Sequence, residues 1–218
     1  MDANARAGTI ALFGGTFDPV HLGHLRVAWD AAHALGCPVR LVPCATPSHR
    51  REPAAGAVQR IEMLKLALAG QDRLVLDPRE VGRGGISYTV DTLRELRAEV
   101  GDARPIAALI GADAFVALPS WREWRELFVL AHLVVLTRAG HSPEWPAALR
   151  DAVAGRETDD AAALAEAAAG KVLRLPVTPL EISASAVRAE LAGGREPRWL
   201  VPDAVLDYIV VQDLYRTP

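Results

Sequence analysis

Cysteine is scarce in this chain. Cys37 and Cys44 are the only two, without a CxxC spacing, so the sequence offers neither a disulfide framework nor a zinc ribbon. A bridge between them is compatible with their separation, but two buried thiols are the expectation. Lysine is equally rare: Lys65 and Lys171 are the only lysines among the 24 Lys and Arg residues, and the rest are arginine. That bias, like the abundance of alanine, reads as base composition and matters only where a site would ordinarily use a lysine. No long apolar run is present. The most apolar stretch, Leu127 to Leu136, contains His132 and falls far short of the ~20 residues of a membrane span. The segment from Met1 to Gly8 has no apolar h-region of the kind a secretory leader carries. Nor is there an excess of one charge: the net charge of −3 gives no electrostatic footprint for nucleic acid or membrane surfaces. These absences lead to the expectation of a cytoplasmic protein with no nucleic-acid and no membrane partner.

What is present is an ordinary globular composition. With 218 residues, 50% hydrophobic and 23% charged, the chain can bury a sizeable core, which excludes global disorder. Strand-like and helix-like patterns alternate. Strands are expected at Thr9 to Phe13, Pro38 to Pro43, Arg73 to Asp77, Pro105 to Ile110, His132 to Thr137 and Lys171 to Leu175. Helices are expected at Leu22 to Leu35, stopped by Gly36, at Val58 to Ala69 (Ile61, Leu64, Lys65 and Leu68 at helical steps) and at Thr89 to Val100. Short apolar strands separated by helices imply an α/β fold: a doubly wound, Rossmann-like parallel sheet with helices on both faces. The stretch from Gly140 to Gly170 reads as a surface helix pair or a partly mobile segment, and Pro202 to Tyr215 as a closing helix. No linker divides the chain, so residues 1–218 are expected to form a single domain.

Ligands of such sheets bind beyond the carboxyl ends of the strands, and the first such loop is the most informative. It reads Gly14-Gly15-Thr16-Phe17-Asp18-Pro19-Val20-His21-Leu22-Gly23-His24. Paired glycines admit a close backbone approach, and the following helix N-terminus favours an anion. His21 and His24, three apart, share a face of the first turn. A metal pair is the competing reading, but no third ligand lies nearby and HExxH is absent. GxGxxG is missing too, so a dinucleotide site is poorly supported. A second cluster, Ile182-Ser183-Ala184-Ser185-Ala186-Val187-Arg188, combines an N-cap serine with hydroxyls and an arginine. It is either a plain helix cap or a second polyphosphate site.

Together, GGTFDPVHLGHL and ISASAVR resemble the HxGH and ISSTxxR signatures of a nucleotidyltransferase superfamily. Within it, the chain is most similar to the bacterial nicotinate-nucleotide adenylyltransferases. Supporting stretches occur in order: Val42-Pro43 through Arg50, Ser87-Tyr88-Thr89, Ile110-Gly111-Ala112-Asp113, Trp121 with Trp124, and Val201-Pro202 to Leu214-Tyr215. The resemblance covers residues 9–216. It implies transfer of adenylyl from ATP to nicotinate mononucleotide, giving nicotinate adenine dinucleotide and pyrophosphate, by direct attack of the mononucleotide phosphate on the α-phosphorus. Mg²⁺ would travel with the ATP phosphates, without protein side chains as ligands. A homo-oligomer is compatible with this resemblance.

By the same resemblance His21, His24 and Arg188 are catalytic. ATP would be bound by Gly14, Gly15, Thr16, Phe17, His21, His24, Gly111, Asp113, Ile182, Ser183, Ser185 and Arg188. Asp113 is a candidate partner for a ribose hydroxyl, or a helix N-cap. Nicotinate mononucleotide would be bound by Gly15, Thr16, His49, Arg50, Thr89, Trp121 and Arg138. Thr89 would receive the carboxylate and Trp121 stack on the pyridine ring, with Trp124 assigned to the core.

Three positions depart from the family pattern: Arg50 for a lysine, Ser185 for a threonine, and Arg122 where an aromatic or polar neighbour is usual. The alternatives are sister adenylyltransferases for nicotinamide mononucleotide or phosphopantetheine, a tRNA-aminoacylating enzyme, and a nucleotide sensor without turnover. Phosphopantetheine enzymes read threonine-asparagine where this chain has Val20-His21. No KMSKS-like segment is present, and a sensor would be expected to have lost His21, His24 or Arg188.

Overall fold

The computed structural model describes residues 8–48, 52–138 and 144–216. Its strands are β1 (Ile10–Gly15), β2 (Val39–Pro43), β3 (Thr46–Pro47), β4 (Leu74–Leu76), β5 (Ile86–Ser87), β6 (Ile106–Gly111), β7 (His132–Thr137), β8 (Glu157–Thr158) and β9 (Val172–Pro176). Its helices are α1 (Leu22–Leu35), α2 (Ala57–Leu68), α3 (Arg79–Arg83), α4 (Thr89–Val100), α5 (Ala112–Val116), α6 (Leu127–Leu130), α7 (Ala147–Val153), α8 (Ala184–Ala192) and α9 (Asp203–Val211).

Seven strands form one sheet in the order β4-β2-β1-β6-β7-β9-β8, and every pairing in it is parallel. β3 and β5 form a separate parallel pair. Alternate residues of each strand feed opposite faces, because side chains alternate across a pleat. Ala11, Leu41, Leu109 and Val134 join the core beneath α1, α2, α8 and α9. Ile10, Leu12, Ala108 and Val135 join the core beneath α4, α6 and α7. Both faces are therefore covered, as continuous apolar strands require. The chain runs outward from β1 through β2 to β4, then returns to add β6 on the other side. The reversal opens a crevice at the carboxyl ends of β1 and β6. Phe13 pairs with Leu109, so Gly15 and Gly111 come level at its rim.

All six expected strands and the long helices are present. The stretch from 144 to 170 is not a helix pair: it holds α7, the edge strand β8 on β9, and a 3-10 helix over Ala161–Glu166. Two polar residues in an extended pair carry no periodicity, so this edge left no pattern to read. The buried face of α2 carries Arg60, Met63, Leu64 and Leu68; Lys65 points outward and pairs with Glu62 at 3.2 Å. The closing helix ends at Val211, before Tyr215. Cys37 and Cys44 are buried free thiols. Among the described residues no helix is long and apolar enough to cross a membrane.

Candidate active site

Both glycines that end β1 lie at the crevice, for different reasons. A Cβ on Gly15 would come within 2.8 Å of the Phe17 ring, whereas one on Gly14 would meet nothing within 4 Å. Gly15 thus makes room for a buried side chain, and Gly14 faces open space. Phe17 itself is buried, in the left-handed region at φ 50°, and its ring packs edge-on against His24 with centroids 5.0 Å apart.

His21 is the N-cap of α1. Its backbone is extended, and its Nδ1 accepts from the His24 amide at 3.3 Å. A neutral imidazole with Nδ1 as acceptor carries its proton on Nε2. Burial pushes the His21 pKa down to about 4, because a charged ring would lose its hydration. The His24 ring stacks on it, 3.7 Å between centroids. Gly23 makes the pairing possible: a Cβ there would lie 3.0 Å from His21 Nδ1 and 3.4 Å from the Ile182 carbonyl oxygen. That second distance also brings the start of α1 against the residues leading into α8.

Ser183 caps α8, its Oγ accepting from the Ala186 amide at 3.1 Å. Ser185 is exposed in the first turn, and its Oγ accepts from Arg188 Nη2 at 3.3 Å. Arg188 Nη1 donates to the Asp18 carbonyl at 2.5 Å. The two signature segments therefore meet in space. Two helix N-termini, two imidazoles, a serine hydroxyl and a guanidinium come together here, a combination suited to a polyphosphate.

Sequence reasoning passed over the supports of this loop. The Asp18 carboxylate is buried and accepts from the Ala54 and Ala55 amides at 2.8 and 3.0 Å and from the Tyr215 hydroxyl at 2.8 Å. Arg60 is 1% exposed. It donates to the carbonyls of Thr16, Ala45 and Ala55 at 2.8, 3.0 and 3.2 Å, tying the first loop to the second. Asp18 stood in the quoted motif; Arg60 gave no signal, since an arginine in an amphipathic helix reads as solvated.

A second cleft, of about 310 Å³ with part of that volume open to solvent, is lined by Ser48, Tyr88, Thr89, Trp121 and Arg122. Thr89 and Trp121, assigned separately to one ring and its carboxylate, thus share a wall. Thr89 is the first residue of α4, so it also offers that helix's N-terminal amides. Trp121 and Trp124 do not share a helical face, because Glu123 breaks the chain with φ 51° between two 3-10 turns. Trp124 is buried and Trp121 half-buried at the cleft. Ser48, Tyr88 and Arg122 were not among the assigned residues; the Arg122 guanidinium lies 4.8 Å from the Tyr88 ring centroid.

Gly111 ends β6 and caps α5, so Asp113 is an exposed residue of that helix's first turn and not its N-cap. Arg138 is exposed after β7 and is not among the residues lining the Trp121 cleft. His49 and Arg50 lie outside the described residues.

A family model described as cytidylyltransferase-like matches residues 12–190, a span that takes in both signatures. The chain belongs to that family. Among curated members it is 47% identical over 210 residues to the "Probable nicotinate-nucleotide adenylyltransferase" of Pseudomonas aeruginosa, covering 96% of this chain and 98% of the relative. It is 50% identical to the protein of the same name from Stenotrophomonas maltophilia, covering 94% and 96%. The Plasmodium falciparum nicotinic acid mononucleotide adenylyltransferase, solved in complex with NaAD, has the same fold. Its TM-score is 0.72 at 18% identity, covering 96% of this chain and 98% of that one.

Proposed function

We propose that this protein transfers adenylyl from ATP to nicotinate mononucleotide, a step of NAD biosynthesis that yields nicotinate adenine dinucleotide and pyrophosphate. The observation that carries the reading is the meeting of the His21–His24 turn with the Ser183–Arg188 turn over the crevice between β1 and β6. Near-full-length kinship with the nicotinate-nucleotide adenylyltransferases supports it.

In the reaction, a phosphate oxygen of the mononucleotide forms a bond to the α-phosphorus, and the bond from that phosphorus to the bridging oxygen of pyrophosphate breaks. The attacking phosphate is already an anion, so no protein nucleophile or general base is required. Catalysis then rests on alignment and on donors aimed at the charge that develops. His21 enters neutral, presenting Nε2–H, and His24 stacks beside it. Arg188, Ser185 and the amides of α8 receive the outer phosphates, while Gly14 to Phe17 line the approach to the reacting phosphorus. Gly111 and Asp113 border the adenosine.

The mononucleotide's ring is assigned to Trp121, its carboxylate to the start of α4 at Thr89 and its phosphate to Arg138, with His49 and Arg50 as further mononucleotide-binding residues. The proposed Mg²⁺ is carried by the triphosphate, whose charge it offsets. This fits a site in which, among the described residues, no three His, Cys, Asp or Glu side chains converge on a metal position and both Asp18 oxygens already accept hydrogen bonds. We read the chain as one catalytic unit, since α8 and α9 pack into the same core as β1 and α1, and place it in the cytoplasm, where its curated relatives' bacterial NAD biosynthesis fits.

The test is pyrophosphate release from Mg-ATP with nicotinate and nicotinamide mononucleotides run in parallel. Strong preference for the nicotinate form is expected. Equal rates would remove the carboxylate assignment at Thr89, and no release with either would remove the reading.

A further inference from the structure

The chain ends by folding back onto its beginning. α9 stops at Val211, and its last turn closes with Leu214 N donating to the Ile209 carbonyl at 3.0 Å and Asp213 N to the Val210 carbonyl at 3.2 Å. Asp213, at φ 49°, takes the left-handed position of a Schellman-type closure. The reversal returns Leu214 and Tyr215 to the core that holds β1 and α1. There the Tyr215 hydroxyl donates to Asp18 Oδ1 at 2.8 Å, across 197 positions of sequence.

Asp18 is the residue on which Arg188 rests. Arg188 Nη1 is 2.5 Å from the Asp18 carbonyl oxygen but 3.7 Å from the carboxylate oxygen Oδ2, so the guanidinium is held by the main chain and only loosely by the carboxylate. The carboxylate is kept occupied by the Ala54 and Ala55 amides and by the phenol. An under-satisfied buried carboxylate attracts the nearest cation strongly, and here that cation is Arg188, with the buried Arg60 behind the same loop.

We propose, resting on the adenylyl-transfer reading, that Tyr215 is a positioning residue that satisfies Asp18 and thereby leaves Arg188 free to face the triphosphate. Without its hydroxyl, Arg188 closes on the Asp18 carboxylate and withdraws from ATP. Burial and the neighbouring carboxylate both raise the Tyr215 pKa, so the phenol stays a donor throughout the working range. The C-terminal tail is in this way part of the nucleotide site, although it touches no substrate.

The test is Tyr215→Phe, which keeps the ring and removes the donor. The expected result is a loss of about ten-fold in kcat/KM for ATP, the scale of one hydrogen bond to a charged group, with the KM for nicotinate mononucleotide unchanged. In an Arg188→Ala background the same substitution should change kcat/KM for ATP by less than about two-fold, because its effect runs through Arg188. A Tyr215→Phe enzyme within about two-fold of wild type, or an undiminished loss in the Arg188→Ala background, would overturn the assignment. If Tyr215→Phe folds poorly, deletion of residues 215–218 is judged by the same two criteria. If the wild-type chain released no pyrophosphate, the adenylyl-transfer reading alone would fail. The positioning role would then be judged by calorimetric ATP affinity, with the same ten-fold loss expected and an unchanged affinity overturning it.

Discussion

Arg188 donates to the carbonyl of Asp18 across 170 positions of sequence, joining the two signature segments by a hydrogen bond from a side chain to the main chain. A carbonyl partner leaves the guanidinium its charge, whereas a tight carboxylate pair would neutralise it. Four donors in that fork remain for an incoming anion or for Ser185.

His21→Ala and His24→Ala should each lower kcat by about 10²-fold or more, the scale of losing one donor to a transition-state oxyanion. Pyrophosphate release under saturating substrates measures it. Near-normal rates in both variants would end the assignment of these imidazoles to catalysis.

Gly23→Ala sets two effects against each other. Alanine favours a helix over glycine by about 1 kcal/mol, yet its Cβ would lie 3.0 Å from His21 Nδ1. The crowding falls on the imidazole proposed to act in catalysis and the benefit on the backbone. The variant should therefore melt no lower than wild type while losing about ten-fold or more in kcat, a shift of His21 being enough to spoil alignment. Activity within two-fold of wild type would show that His21 has room to spare.

Arg60→Lys should destabilise the protein by about 3 kcal/mol or more in urea unfolding. A lysine cannot reach the three carbonyls that the guanidinium bridges, and buried acceptors are left unpaired beside a poorly solvated charge. A loss below about 0.5 kcal/mol would mean that the loop does not depend on this clamp.

His132 is fully buried at the start of β7, its Nε2 bonded to the Ala167 carbonyl at 2.8 Å and its Nδ1 accepting from the Lys171 amide at 3.0 Å. Burial lowers its pKa below the ordinary 6.5, as it does for His21. A lowered histidine pKa means the unfolded state binds the proton first. The stability these rings contribute is present above about pH 6.5 and is lost as pH falls below it towards their folded values. Unfolding free energy should therefore fall between pH 7 and 5. His132→Asn should flatten part of that slope, and an unchanged slope would count against the assignment.

Trp121→Ala and Trp124→Ala should part company, although only two residues separate them. Trp121→Ala should raise the KM for nicotinate mononucleotide about ten-fold or more, the worth of one aromatic stacking face, with the KM for ATP unmoved. Trp124→Ala should cost about 3 kcal/mol of stability through its core cavity and leave the KM values near wild type. Equal effects on both substrates from Trp121→Ala would place the ring outside the mononucleotide cleft.

Six of the seven strands of the main sheet, the long helices α1, α2 and α4, and the two signature segments proposed to face phosphates were legible in the sequence by itself. These are local matters. Apolar runs of strand length, helical spacing and capping residues act within a few positions, and GGTFDPVHLGH and ISASAVR are contiguous. The residues that hold those motifs in place were not legible, because nothing local distinguishes them. Arg60 looks like any arginine on an amphipathic helix until α2 packs it beneath Thr16, Ala45 and Ala55. Tyr215 looks like the end of a helix until a left-handed turn returns it to Asp18. The edge strand β8 exists only because β9 offers it a partner. Even the glycines divide this way: a glycine-rich turn could be read from composition, but that Gly23 makes room for an imidazole and Gly15 for a phenyl ring depends on side chains that the fold brings back to them. The sequence determined which groups could do the chemistry. Tertiary packing, by choosing which buried donors meet which acceptors, decided how they are aimed.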